Sequence, residues 1–271
     1  MTLGTHVPSL SEITFQRIRQ QVLQATGVHL ADERRSIVAT RLNKRLQFHG
    51  LATFEAYLDL LEHGPLLHEQ QHLLALLTAH DTYFFREHRH FEFLARWLTG
   101  LGHAPRLWSA ACATGEEAWS LAMVAAELHL PHGWQVLGSD YDSDRLQQAA
   151  TGSYDIAQAR YFPDGWLERH CLYGIDDSAG RLRISPALGE AVVFETINLI
   201  HPLPSHLGSF DVILLRNVLS NFSERYKVDV LCRVLEHLRP GGLLIIGHSE
   251  SIHGLELPLR PLLPSVFERL W

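Results

Sequence analysis

The residues best suited to chemistry form one short run, Ser109-Ala110-Ala111-Cys112-Ala113-Thr114-Gly115-Glu116-Glu117. Set against the D-x-G-x-G-x-G spacing of nucleotide-binding turns, Ala111 and Ala113 take the first two glycine positions and Gly115 the third. Small side chains at these places let the backbone approach a ligand at a helix N-terminus. A tight strand–helix turn without a ligand needs the same residue types, so the run alone decides nothing. Asp140 strengthens the ligand reading. It stands 25 residues past Gly115, at the end of the next apolar run, where a carboxylate accepts both hydrogen bonds of a ribose diol.

A second cluster is basic. Arg34, Arg41 and Arg45 follow at spacings of seven and four, which at about 100° per residue gathers them in one narrow sector of a helix. An acidic protein surface suits that sector better than nucleic acid, because no aromatic residues interleave with it and the whole chain carries a net charge of −7. No metal site is expected. His88 and His90, the closest pair among 18 histidines, point about 200° apart on a helix. Asp140-x-Asp142-x-Asp144 lacks the glycine and closing glutamate of a calcium loop. The three cysteines, Cys112, Cys171 and Cys232, form no CxxC pair.

Two kinds of element must position these groups. Residues 1–100 read as helices only. Phe15, Ile18, Val22 and Ala25 form an apolar stripe between an N-cap at Ser11 and a stop at Gly27. Val38, Leu42 and Leu46 mark a second helix, from a cap at Asp32 to about Phe48, with Gly50 behind it. Thr53 opens a third, closed by Gly64-Pro65, and a fourth covers about His68 to Thr78. The segment His80 to Glu87 breaks the pattern before a helix from about His88 to Leu98.

From Arg106 onward, apolar runs at 106–108, 135–138, 192–194, 210–215 and 243–246 alternate with helical stretches, the last run following an Arg239-Pro240-Gly241-Gly242 turn. That alternation predicts a doubly wound, mostly parallel sheet. Cys171-Leu172-Tyr173 and Arg181-Leu182-Arg183-Ile184 read as a small antiparallel insertion turning at Asp177-Ser178-Ala179-Gly180. Residues 1–100 hold 10 basic and 10 acidic side chains, and the rest hold 13 and 20. At 271 residues and 46% hydrophobic, the chain has ordinary globular composition and length for one large or two small domains. Without an N-terminal signal pattern or a long apolar window, a cytoplasmic protein is expected.

Five ordered motifs make the reading specific. They are Thr82-x-Phe84-Phe85-Arg86-Glu87, Trp108-Ser109-Ala110-Ala111 through Thr114-Gly115-Glu116-Glu117, Asn198-Leu199, Phe210-Asp211-Val212-Ile213 with Arg216-Asn217-Val218, and Gly247-His248-Ser249-Glu250. Over about residues 11 to 271 the chain resembles the CheR family of chemotaxis-receptor glutamate methyltransferases, class I enzymes that use S-adenosylmethionine. The resemblance implies an α/β protein with an all-helical N-terminal domain, residues 1–80, and a linker and active-site segment, residues 81–104. A Rossmann-like doubly wound methyltransferase domain, residues 105–271, follows, with a three-stranded antiparallel β-subdomain inserted at about 165–194.

The implied activity is transfer of a methyl group to glutamate side chains on the cytoplasmic helical bundle of chemoreceptors, giving γ-methyl esters and S-adenosylhomocysteine. The implied setting is a cytoplasmic monomer recruited to membrane-bound receptor arrays. Matched residue by residue, the family pattern puts His80, Thr82, Arg86, Ala111, Gly115, Glu116, Asp140, Asn198, Leu199, Arg216 and Asn217 at the cofactor. Glu116 then meets the methionine ammonium and Asp140 the ribose, and Arg34, Arg41 and Arg45 face the receptor. Arg86 is the expected catalytic residue, a planar fork bridging cofactor and substrate carboxylates. Glutamate, with an unperturbed pKa of about 4.3, is ionised at neutral pH, so the chemistry asks for alignment and not for a general base. His80 stands where many members carry Asn, and Asn221 where Tyr is common. The alternative is therefore an S-adenosylmethionine-binding sensor or adaptor of the same fold with weak or no turnover.

Overall fold

The computed structural model describes residues 8–63, 67–78, 81–130 and 133–271. The chain forms two units, one of residues 1–80 with 221–223 and the other of residues 81–220 with 224–271.

The first unit is helical: α1 (Glu12–Thr26), α2 (Arg35–His49), α3 (Phe54–His63) and α4 (Leu67–Thr78). Local chemistry sets the ends of α1. The Ser11 hydroxyl accepts the Thr14 amide at 3.2 Å, a cap worth about 1 kcal/mol, and Gly27 closes the helix at φ 73°. The predicted stripes converge, with Phe15, Ile18, Val22, Leu42, Tyr57 and Leu58 all fully buried. The second helix departs from expectation at its start. Asp32 pairs with Arg19 on α1 and caps nothing, so Asp32–Arg34 forms a separate 3-10 turn and α2 begins at Arg35. Arg34 therefore lies outside the helix that carries Arg41 and Arg45. The segment 221–223 belongs to this unit through a bridge between Val28 and Phe222, and the Asn221 carbonyl accepts the His29 amide at 2.7 Å.

The second unit runs α5 (Arg89–Leu98), β1 (Arg106–Ala110), α6 (Glu116–Glu127), β2 (Gln135–Asp140), α7 (Ser143–Thr151), β3 (Ser153–Asp155), α8 (Trp166–His170), β4 (Cys171–Tyr173), β5 (Arg181–Ile184) and α9 (Pro186–Gly189). It continues with β6 (Val192–Thr196), β7 (Phe210–Leu215), α10 (Glu224–Glu236), β8 (Leu238–Ile246), β9 (Leu259–Leu263) and β10 (Val266–Arg269). Seven strands make one sheet in the order β6-β2-β1-β7-β8-β10-β9. The first five run parallel, and β10 and β9 close the edge in antiparallel fashion. Every residue of β7 is buried, which is why its sequence is apolar at every position except Asp211.

Three local features depart from the sequence pattern. Arg239 to Gly242 is a bulge inside β8, not a turn before it: Phe210 pairs with Leu238 but Val212 with Leu243. The strand β9 carries no alternation, its residues after Leu259 all being exposed. The small sheet, in the order β3-β5-β4, takes its third strand from Ser153–Asp155, upstream of the expected insertion, where three residues are too few to show a period.

Candidate active site

Parallel strands bring distant chain segments to one edge. The C-terminal ends of β6, β2, β1 and β7 are neighbours, and the chain crosses over in opposite directions on either side of β1, where open α/β sheets bind ligands. Behind these ends stand, in sheet order, Asn198-Leu199, Asp140, the turn Ala111 to Glu116, and Arg216-Asn217. The fold thus gathers at one edge most residues that the motifs nominate for the cofactor.

The turn after β1 is bent hard. Ala111 (φ 62°) and Ala113 (φ 49°) are left-handed, a conformation that costs a residue bearing a Cβ about 1 kcal/mol. Hydrogen bonds hold it there: Cys112 N donates to Ser139 O at 2.8 Å, and Ala113 N donates to Asp140 Oδ2 at 2.9 Å. Gly115 sits at φ 91°, and a Cβ there would come within 2.6 Å of Ala149 Cβ, so both backbone and space demand glycine. Asp140 Oδ1 accepts Asp142 N at 3.0 Å. The carboxylate expected to meet a ribose is thus already the brace of the turn.

Glu116 is 4% exposed and Asp140 5%, and burial pushes both carboxyls above their ordinary range. Thr114 Oγ1 donates to Glu116 Oε2 at 2.7 Å, and among the described residues Glu116 makes no ion pair. A buried carboxylate without a cation favours a cationic ligand. On that ground the residues present fit S-adenosylmethionine, which carries an ammonium and a sulfonium.

The Thr82 to Glu87 motif is anchored by its aromatics. Phe84 packs edge-on against Tyr154 and near Phe162, and Phe85 against Phe91 and Trp166. Phe85 (φ 52°) and Glu87 (φ 58°) are both left-handed. Phe85 N donates to Ser120 Oγ at 3.0 Å, and that hydroxyl donates to Glu116 O at 2.6 Å, which ties the motif to the first turn of α6. Arg86 and Thr82 are half-buried. The Arg86 guanidinium donates to the Asp81 carbonyl at 3.0 Å and lies 5.9 Å from the Tyr83 ring centre. His80 lies outside the described residues.

Arg216 is placed differently from expectation. Its side chain is 1% exposed, with Nη1 2.9 Å from Glu117 Oε2 and Nη2 3.0 Å from Glu87 Oε2, and Nη2 also donates to the Arg86 carbonyl. The guanidinium is engaged inside the protein and not turned out to a ligand. Asn217 (φ 59°) donates its amide to Glu250 Oε2 at 2.8 Å and its side chain to Glu87 Oε1 at 3.2 Å. Glu250 also accepts Gly247 N at 2.7 Å and Ser220 N at 3.2 Å. Asn198 Oδ1 accepts Ile200 N at 3.2 Å, and Leu199 is buried. Sequence reasoning missed Glu87, Glu117, Glu250 and Ser120 as participants. The signal was available for the three acids, each of which closes one of the quoted motifs.

His90 is buried with both ring nitrogens lacking a hydrogen bond. Burial first, then Arg216 and His248, push it down to about 4, so it is neutral. Glu87, His90 and His248 bring potential ligand atoms within 4.8 Å of one another. Glu87 Oε2 already holds Arg216 Nη2 at 3.0 Å, and the His90 and His248 rings meet edge to face at 4.4 Å.

The proposed receptor face of the helical unit also changes. Arg45 Nε donates to Glu69 Oε1 at 2.8 Å, and Arg41 Nη1 donates to the Leu76 carbonyl at 2.8 Å. Both guanidinia are drawn onto α4, because Glu69 and the α4 carbonyls offer acceptors that the one-dimensional wheel cannot show. Arg34, half-buried in the 3-10 turn, makes no ion pair among the described residues.

Comparisons with known proteins place the chain in a family. The family described as "CheR methyltransferase, SAM binding domain" matches residues 80–262, and "CheR methyltransferase, all-alpha domain" matches residues 13–78. The chain is 36% identical over 249 residues to the chemotaxis protein methyltransferase of Salmonella typhimurium, covering 91% of this chain and 86% of that one. It is 37% identical over 250 residues to that of Escherichia coli, covering 92% and 87%. Chemotaxis protein methyltransferase 2 of Pseudomonas aeruginosa is 35% identical over 251 residues, covering 90% and 88%. With both family domains matched in order, and with buried carboxylates at the crossover of a parallel sheet, the chain belongs to the CheR family of S-adenosylmethionine-dependent methyltransferases.

Proposed function

We propose that this chain esterifies glutamate side chains of chemoreceptor cytoplasmic domains, with Arg86 aligning the acceptor carboxylate. Membership of the family carries the activity, and the observation that carries the site is the buried, cation-free Glu116 beside the turn that Asp140 braces. S-adenosylmethionine, when bound, supplies an electrophilic methyl group on a sulfonium. The chain's own residues bind and orient. Glu116 faces the ammonium end, Asp140 the ribose, and the flanking positions Thr82, Ala111, Gly115, Asn198, Leu199, Arg216 and Asn217 shape the remaining wall, the last two through their backbone. His80 completes it.

Arg86 presents a planar fork to carboxylate groups. No residue has to remove a proton, since the acceptor is already ionised, and holding two groups in line supplies several kcal/mol, about 7 in favourable intramolecular cases. No helix among the described residues is long and apolar enough to cross a membrane. The enzyme works as a cytoplasmic monomer that meets the receptor helical bundle at the membrane-bound array. Arg34 is the arginine of the basic group left to contact it, while Arg41 and Arg45 act by fixing α2 against α4.

The test is methyl transfer from labelled S-adenosylmethionine to receptor membranes. Wild type should yield alkali-labile label and Arg86→Ala almost none, while remaining folded. Full transfer by Arg86→Ala would overturn the role of Arg86. Tight cofactor binding with no transfer by the wild type would favour a sensor or adaptor.

A further inference from the structure

The segment Phe85-Arg86-Glu87 presents a puzzle of positioning. Its two outer residues are left-handed without being glycine, a state that persists only where the surroundings over-determine it. Arg86 itself is only half-buried and holds one carbonyl, so its own contacts do not explain its orientation. The constraint comes from below. Arg216 takes the Arg86 carbonyl, Glu87 and Glu117 at once, and Glu87 in turn accepts the Asn217 side chain and the His248 amide at 3.2 Å each. Glu117 accepts Ser109 Oγ at 2.7 Å, tying the lock to the end of β1. Gly247 permits the close approach of the 217 and 247 loops, since a Cβ there would lie 2.6 Å from Asn217 Nδ2. Burial alone would raise the Glu87 carboxyl, yet Arg216, Asn217 and His248 hold it below the ordinary range, so Glu87 stays ionised and the pair stays closed.

We infer that Glu87 and Arg216 are positioning residues for methyl transfer: a buried ion-pair lock that fixes the Arg86 backbone, so that Arg216 acts through Arg86 and not as a ligand of the cofactor through its guanidinium. This rests on the role of Arg86 proposed above. A displacement near 1 Å at a reacting group is enough to slow an enzyme about 100-fold.

The experiment compares Glu87→Gln and Arg216→Lys with wild type, in both the native and the Arg86→Lys background, by steady-state methyl transfer, calorimetric binding of S-adenosylhomocysteine and thermal unfolding. The expected result is a kcat lower by about 100-fold with product affinity and receptor KM changed less than about threefold. In the Arg86→Lys background, Glu87→Gln should add less than about threefold, because residues acting through one another are not additive. Product affinity weakened about tenfold or more with kcat unchanged would make Arg216 a direct cofactor ligand and overturn the lock, as would losses that multiply in the double variant. Should Arg216→Lys fail to fold, the isosteric Glu87→Gln decides alone. Wild-type transfer by Arg86→Ala would remove the role of Arg86 itself, whereas an inactive Arg86→Ala beside a fully active Glu87→Gln would remove the lock only.

Discussion

Two of the arginine–carboxylate clusters among the described residues, one in each unit, are built to different ends. In the helical unit, Glu69 is 5% exposed and accepts Arg45, the Tyr57 hydroxyl at 2.6 Å, and His49 at 3.1 Å. Burial would raise its carboxyl, but these three partners hold it at about 2. Every lone pair has a donor, the backbone around it is ordinary helix, and the result is a joint between α2, α3 and α4. In the catalytic unit, Arg216 answers to Glu87 and Glu117 together, Glu250 stands behind Asn217, and the backbone on both sides is left-handed at Glu87 and Asn217. Burial pushes Glu117 above the ordinary carboxylate range even with Arg216 beside it. The first cluster saturates one acid with donors from two other helices; the second shares one cation between two acids, of which Glu87 has a left-handed backbone.

Substitutions that open each cluster give the sharpest break. Arg216→Met leaves two carboxylates, Glu87 and Glu117, without their shared cation and should cost about 3–5 kcal/mol, measured by denaturant unfolding. Arg45→Met leaves Glu69 bonded to Tyr57 and His49 and should cost less than half as much. Equal losses would erase the distinction drawn between the clusters.

Acid should separate them next. His90 is held at about 4 and titrates near 6.5 when unfolded. A folded value below the unfolded one adds stability that is whole above pH 6.5 and vanishes as pH falls towards 4, about 3 kcal/mol in all. The raised carboxyls of Glu116, Glu117 and Asp140 act in the opposite sense, so the quantity to measure is the difference between wild type and His90→Phe across that window. The contribution of Glu69 survives this window and is lost only below the ordinary carboxylate range, as pH falls towards about 2. A difference curve that is flat between pH 6.5 and 4 would refute the neutral, buried His90.

Ligand binding sharpens the contrast further. Glu116→Gln should weaken S-adenosylmethionine binding by about 1.5–3 kcal/mol, while Glu69→Gln leaves it unchanged. Because the free Glu116 carboxyl is raised, a cationic ligand binding below that pKa expels a proton, so wild-type affinity falls with acidification and the Glu116→Gln curve is flatter. The smallest effect belongs to local structure. Ser11→Ala removes the α1 cap and should lower stability of the helical unit by about 1 kcal/mol with no effect on cofactor affinity.

Much of the fold was legible from the chain. The stripes of Phe15, Ile18 and Val22 and the apolar run Val212 to Leu215 identified their elements because burial on one face, or on both, writes a period into sequence. The ends were legible where a side chain serves its own helix, as at Ser11, and illegible where it serves another, as at Asp32 with Arg19. The bulge in β8 and the three-residue β3 carry no period. At the site, small residues at 111, 113 and 115 were readable because backbone near φ +60° restricts side chains locally. The inward turn of Arg41, Arg45 and Arg216 was not.

The amino-acid sequence by itself determined the long periodic elements, the family and the types of residue at the crossover, since each of these depends on short-range pattern. What each charge faces was decided by tertiary structure alone. Arg216 meets Glu87 across 129 residues and Glu117 across 99, and Arg45 meets Glu69 across 24. A guanidinium's partner is whichever carboxylate the fold buries beside it, and desolvation then makes that choice costly to reverse.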